Sequence, residues 1–246
     1  MKKFKNIKFS INDEGVARVI LNDPKTYNSL SLDTINSLLS IFKILNNDKK
    51  SKVIVIEGSG KGFSAGHNLK EIQSLSNKAS YKKLFVQCSK LMLNIANHKK
   101  PIIAKVHGAA FAAGCQLIAS CDLAYSSSNA IFATPGVNIG LFCSTPMVAL
   151  SRKVNRKHSM KMLLTGESIK ASVAKEIGLI NEFFPEKKLE NEVIKIAKII
   201  ISKSNFVLKI GKEAFYKQLE MPLDKAYKYT SKIMLKNMLS QDAKEG

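Results

Sequence analysis

Apolar positions along the chain change their period several times, and each period predicts an element. In "VARVILND" (16–23) Val, Arg, Ile and Asp alternate in the period-two manner of a half-buried strand. "KVIVIEG" (52–58) is a fully apolar strand stopped by Gly58, and "KPIIAKVHG" (100–108) is a further buried strand. "SLDTINSLLSIFKILNND" (31–48) repeats Leu32, Ile35, Leu38, Leu39, Phe42 and Leu45 behind Ser31 and Asp33. That is helical spacing following an N-cap candidate. "YKKLFVQCSKLMLNIANH" (81–98) has the pattern of a second amphipathic helix. From Arg156 onward the pattern is helical apart from a short strand at "GLINEFF" (178–184), with breaks at Gly166, Gly178 and Pro185.

Strand, strand and helix, loosely repeated and followed by a run of helices, predict an α/β core over 1–185 and a helical C-terminal region over 186–246. No linker of Pro, Gly or Ser separates them. In "MPLDKAYKYTSKIMLKNML" (221–239) Leu223, Ala226, Tyr227, Ile233, Met234 and Met238 recur on a helical period. Such a face packs on the core or on another subunit, and the pattern leaves both open.

Composition narrows the class. With 246 residues and 45% apolar composition the chain is long enough for one large core. No stretch approaches the roughly 18 apolar residues of a membrane span. The basic start "MKKFKNIKFS" has no apolar run behind it, and Asp13 and Glu14 come early for a transit peptide. A cytoplasmic protein is expected, or one of the mitochondrial matrix in a eukaryote. Cys88, Cys115, Cys121 and Cys143 lack zinc spacing and lie among apolar residues, so buried free thiols and no metal are expected.

The formal net charge is +20, from 39 Lys and Arg against 19 Asp and Glu. That field attracts polyanions: nucleic acid, acidic membranes or a phosphate-rich cofactor. The lysines are dispersed, Trp is absent and only 7% of residues are aromatic, so a stacking platform for RNA is missing. The nucleic-acid reading stays open.

Two stretches stand out by arrangement. "GKGFSAGHNLKE" (60–71) and "HGAAFAAGCQLIASCDLA" (107–124) each follow a buried strand and run through small residues into a helix, one from Asn68 and one near Gly114. The first N–H groups of a helix lack internal partners. Two such ends converging on one point would form an oxyanion hole.

The same stretches carry a resemblance. "FSAGHNLKE" (63–71) resembles the F-x-A-G-x-D-L-K-E signature of the crotonase (enoyl-CoA hydratase/isomerase) superfamily. The run from Lys100 to Leu141 resembles its second signature, and "LLTGESIKASVAKEIGLINEFFP" (163–185) its later segment. The blocks stand in the right order from about Val16 to the C-terminus, and "CQLIASCDLA" with "FATPGVNIGLFCSTPMVAL" is most similar to a branch of enoyl-CoA hydratase domain-containing proteins. The resemblance implies a ββα spiral core, a C-terminal helical trimerisation region with trimers or hexamers, and an acyl-CoA thioester as substrate or ligand with no separate cofactor. The family's chain usually continues past the "D-x-x-E-G" of Asp242–Gly246 with another basic helix.

Residue by residue, the resemblance implies oxyanion N–H groups from His67 and Ala113. It places Lys25, Tyr27, Ala65, Asn68, Leu69 and Lys70 beside CoA, with Lys25 and Lys70 as charge partners of its phosphates. Asp122 matches a structural carboxylate, and His98 and His158 are assigned no role. Hydratases of the family carry two glutamates that hold a water and move its proton; Gln116 and Gly136 stand in those positions. Gln116 can orient a water but cannot take its proton. Both turns are expected to accept the carboxylates back as Gln116→Glu and Gly136→Glu, unless Gly136 has a positive φ. Cys143 and Ser144 are candidate nucleophiles, with His67 and His107 as the nearest bases. The readings that remain are an acyl-CoA enzyme with an unusual or lost hydratase step, a non-catalytic acyl-CoA binder, and an RNA-binding member of the family.

Overall fold

The computed structural model describes residues 4–245; the first three residues of the basic start and Gly246 lie outside them. A six-stranded sheet runs in the order β1 (Ile7–Ile11), β2 (Val16–Leu21), β3 (Val53–Gly58), β4 (Ile102–Val106), β6 (Leu123–Ser127), β9 (Glu182–Phe184). Only β1 is antiparallel to its neighbour; the other pairs are parallel. A second sheet pairs β5 (Ala109–Phe111), β7 (Ile131–Ala133) and β8 (Ile169–Lys170). The two- and three-residue strands of the second sheet are too short to show a period, whereas β1, with the sequence IKFSI, alternates and adds a strand to those expected.

Parallel strands need cover on both faces, and alternation along β3 shows how it is provided. Ile54 and Ile56 face a core shared with α1 (Leu32–Asn47) and α3 (Lys78–Ala96), through Ile35, Leu38, Leu91 and Ile95. Val53 and Val55 face the other way, with Val16, Ile103 and Tyr125, onto Leu189, Val193 and Ala197 of α8 (Glu186–Ile201). Ser31 caps α1 by accepting from the Thr34 N–H, as its sequence indicates. α8 is therefore a layer of the sheet, although it begins just past Pro185.

Ions tie that layer down. Arg18 bridges Glu57 at 2.7 Å and Glu190 at 2.8 Å, and Lys105 contacts both carboxylates. The remaining helices are α2 (Leu69–Ser74), α4 (Ala113–Ser120), α5 (Ser144–Leu150), α6 (Arg156–Thr165), α7 (Ala171–Glu176), α9 (Asn205–Gln218), α10 (Leu223–Met238) and α11 (Gln241–Glu245). α9 is locked to the core by Asp122, which accepts from Lys212 Nζ at 2.7 Å, Tyr216 Oη at 2.9 Å and the Ile102 N–H. α10 buries Ala226 but leaves Leu223, Tyr227, Met234 and Met238 exposed. No helix among the described residues is long and apolar enough to cross a membrane.

Candidate functional site

The loops leaving the carboxyl ends of β3 and β4 are stitched to each other. The Phe63 and Ser64 N–H groups donate to Ala109 O, and the Phe111 N–H donates back to Ser64 O. The 23–30 loop joins from the other side: Leu30 N–H donates to Gly66 O at 2.7 Å, and Ala65 N–H to Tyr27 O at 2.9 Å. Asn28, buried, donates its amide to Ser59 O and Gly62 O. These bonds gather Lys25, Tyr27, Ala65, His67, Asn68, Leu69 and Lys70 along one rim. Lys25, Tyr27, Leu69 and Lys70 are exposed there. The Asn68 side chain is occupied as the cap of α2, accepting from the Glu71 N–H at 3.2 Å.

Gly66, at φ +88°, is one point of close approach. A Cβ there would lie 2.9 Å from Phe111 O and 3.0 Å from the Ala113 N, so only glycine lets the two loops touch. The touching segments present the N–H groups of His67 and Ala113, and neither has an acceptor among the described residues. Ala112, which opens α4, sits at φ 48° and ψ −115°. That region is strained for a residue with a Cβ. Nothing in the sequence marks this strain.

Gln116 is buried, one turn into α4, and both ends of its amide are engaged. Nε2 donates to Thr145 O at 3.1 Å, and the Cys88 thiol approaches Oε1 at 4.0 Å. The cysteines are free and buried, and burial pushes the Cys88 and Cys115 thiols up to about 12. Gln116 forms part of the wall of a cavity of about 830 Å³ with Ser89, Met92, Thr145, Val148 and Tyr216. No local pattern marks this cavity, because it lies between four helices distant along the chain.

The turn at Gly136 corrects one expectation. Gly136 is not in the positive-φ region, so backbone strain does not reserve the position for glycine. Space does. A Cβ at Gly136 would meet Leu141 O at 2.4 Å and Cys143 Sγ at 2.9 Å. The turn therefore does not accept a carboxylate side chain as it stands. Cys143 is buried, which raises its thiol pKa, partly offset by the Gly136 backbone hydrogen bond. Ser144 Oγ donates to Phe142 O at 3.3 Å. The expected bases are engaged elsewhere: His107 Nε2 donates to Gly60 O at 2.8 Å, and His67 Nδ1 donates to Leu30 O at 3.2 Å. Among the described residues no imidazole hydrogen-bonds to either nucleophile candidate.

Comparison with known proteins agrees with this architecture. The model of the enoyl-CoA hydratase/isomerase family matches residues 12–246. The chain belongs to that family. It is 46% identical over 233 residues to enoyl-CoA hydratase domain-containing protein 3, mitochondrial, of Rattus norvegicus, covering 95% of this chain and 78% of that protein. The crystal structure of human enoyl Coenzyme A hydratase domain-containing protein 3 superposes with a TM-score of 0.95 at 45% identity, over 98% of this chain and 95% of that one. The enoyl-CoA hydratase of Mycobacterium smegmatis superposes with a TM-score of 0.94 at 41% identity, over 96% and 92%. The α/β architecture is thus that of the crotonase superfamily, with the helical C-terminal region in place.

Proposed function

We propose that this protein binds acyl-CoA thioesters and polarises the thioester carbonyl between the backbone N–H groups of His67 and Ala113. The observation that carries this reading is the pair of free donors on segments that touch at Gly66. Lys25, Tyr27 and Lys70, on the rim beside them, fit the phosphate-bearing moiety, and the cavity behind Gln116 fits an acyl chain. The four unpaired thiols fit a reducing compartment, and the rat relative carries "mitochondrial" in its name.

Carboxylate-driven hydration is not part of this reading. Positioned acid–base groups contribute about 10² to 10⁴-fold each, and neither Gln116 nor Gly136 offers one. Crotonyl-CoA hydration is expected to be very slow or undetectable, and robust hydration by the unmodified protein overturns that part of the proposal. Calorimetric titration with acyl-CoA tests the binding itself, and mass spectrometry over a panel of acyl-CoAs identifies any product. The exposed apolar face of α10 supports self-association as a trimer or hexamer; a monodisperse monomer in sedimentation velocity at micromolar concentration refutes it.

A further inference from the structure

The cavity behind Gln116 has two chemically different ends. One lies a helical turn along α4 from Ala113, where Gln116 Nε2 donates to Thr145 O at 3.1 Å. From Thr145 the lining follows α5 through Val148 to Arg152 and Lys153, in the turn that ends the helix. That path is roughly 10 Å long at the helical rise per residue. Leu93 and Ala96 of α3 and Phe215 and Leu219 of α9 make the lining between the ends largely apolar. The far end is polar, with Arg152 beside Glu220 and Lys153 beside Tyr216.

Lys153 is the group at that end without a counter-charge. It is half-buried, and its one hydrogen bond runs from Nζ to Tyr216 Oη at 3.3 Å. The ammonium also stands 5.0 Å from the centroid of the Tyr216 ring. Both contacts are with a neutral side chain. An ammonium has three donors and no acceptor, so two of its N–H groups have no acceptor among the described residues. The acids nearby are committed. Tyr216 Oη donates to Asp122 at 2.9 Å, and Asp122 is paired with Lys212 at 2.7 Å. Glu220 faces Arg152 Nε at 3.4 Å, and Arg152 Nη1 donates to Val148 O at 3.1 Å. A half-buried cation gives up part of its hydration, and an anion brought by a ligand in the cavity would replace it with a charge-assisted hydrogen bond.

We propose that Lys153 is a specificity-determining residue that takes the terminal carboxylate of a dicarboxylic acyl thioester. The thioester carbonyl lies at the His67 and Ala113 N–H groups and the chain runs past Gln116 along α5. This inference rests on the thioester reading above. The span from Gln116 to Lys153 suits an acyl chain of about eight carbons, at roughly 1.3 Å of advance per bond. A monocarboxylic chain of that length fills the same apolar lining and leaves Lys153 without its anion.

Suberyl-CoA and octanoyl-CoA share a chain length and differ in the terminal carboxylate. Calorimetry on the full chain is expected to find suberyl-CoA bound about tenfold tighter, the scale of one hydrogen bond to a charged group. In Lys153→Met, which keeps an unbranched side chain and removes its charge, the ratio falls to near one whatever happens to the absolute affinities. A second measurement needs no variant. The monomethyl ester of suberyl-CoA, which lacks the terminal charge, binds the wild-type protein like octanoyl-CoA. Equal binding of suberyl-CoA and octanoyl-CoA, or a preference that survives in Lys153→Met or in the ester, overturns the assignment while leaving the thioester reading intact. Failure of all three thioesters to bind removes the two together.

Discussion

The wall made by Ser64–Lys70 and Ala112–Gln116 and the wall made by Pro135–Thr145 share one sequence feature. Both carry glycine and lead into a helix, the second through Val137, Ile139, Leu141 and Phe142. They hold their backbones in different ways. The first is fixed by hydrogen bonds to other segments, Ser64 with Ala109 and Phe111 and Gly66 with Leu30, which leaves the His67 and Ala113 N–H groups without acceptors among the described residues. The second closes on itself: Leu141 N–H donates to Gly136 O at 2.9 Å, and Cys143 Sγ occupies the space where a residue-136 side chain would begin. A loop held by its neighbours can present donors; one that closes on itself has no room for a catalytic side chain. The absence of a carboxylate at Gly136 is thus a property of the whole 136–143 turn.

The largest effect should come from forcing that turn open. Gly136→Glu is expected to cost about 3 kcal/mol through overpacking against Leu141 O, read from denaturant midpoints. A variant of parental stability would show that the second wall is pliable and the contrast false. Gln116→Glu on the first wall is expected to cost about 2 kcal/mol at pH 8. An ionised carboxylate there cannot donate to Thr145 O and is buried. Burial raises the pKa of that new carboxyl, so the loss is larger at high pH and shrinks as the acid form, which can donate, becomes populated. A pH-independent loss would mean that the Thr145 contact is unimportant.

Acid should act on the histidines of the first wall and its support, since the second wall has none. The His98 pKa is held at about 4, first by burial and then by its neighbouring lysines against its carbonyl contacts. Its folded value lies below the unfolded value of about 6.5. Its neutral form therefore contributes stability that is fully present above pH 6.5 and lost as pH falls toward 4. Urea denaturation at a series of pH values should show that loss, and His67→Phe should remove the smaller share due to His67. An acid profile unchanged by His67→Phe would contradict the depressed value of that ring.

Ala112→Gly should release the strain at φ 48° and stabilise the protein by about 1 kcal/mol, as measured by Tm. A loss instead would mean that the Ala112 methyl packs better than its backbone suffers. The smallest effect belongs to the rim. Lys25→Glu and Lys70→Glu should each weaken CoA binding a few-fold, less so at high salt, because exposed charges are screened within about 8 Å at physiological ionic strength. Unchanged calorimetric affinity in both variants would remove the phosphate assignment.

Much of the frame was determined by the sequence alone. The apolar runs of β3 and β4, the period of α1 and α3 and the Ser31 cap are local patterns, and they appear where those patterns place them. The glycine of "FSAGHNLKE" and the missing carboxylates at Gln116 and Gly136 were also legible, as was the family. Other features were decided only by the tertiary structure. The free N–H pair depends on Gly66 meeting Ala113, the fullness of the Gly136 turn on Leu141 and Cys143, and the neutral setting of Lys153 on Tyr216. Periodicity reports what each residue does relative to its chain neighbours. Whether a donor is free, a space filled or a charge met by a neutral partner depends on segments as far away as Tyr216 is from Lys153, and only packing brings those together.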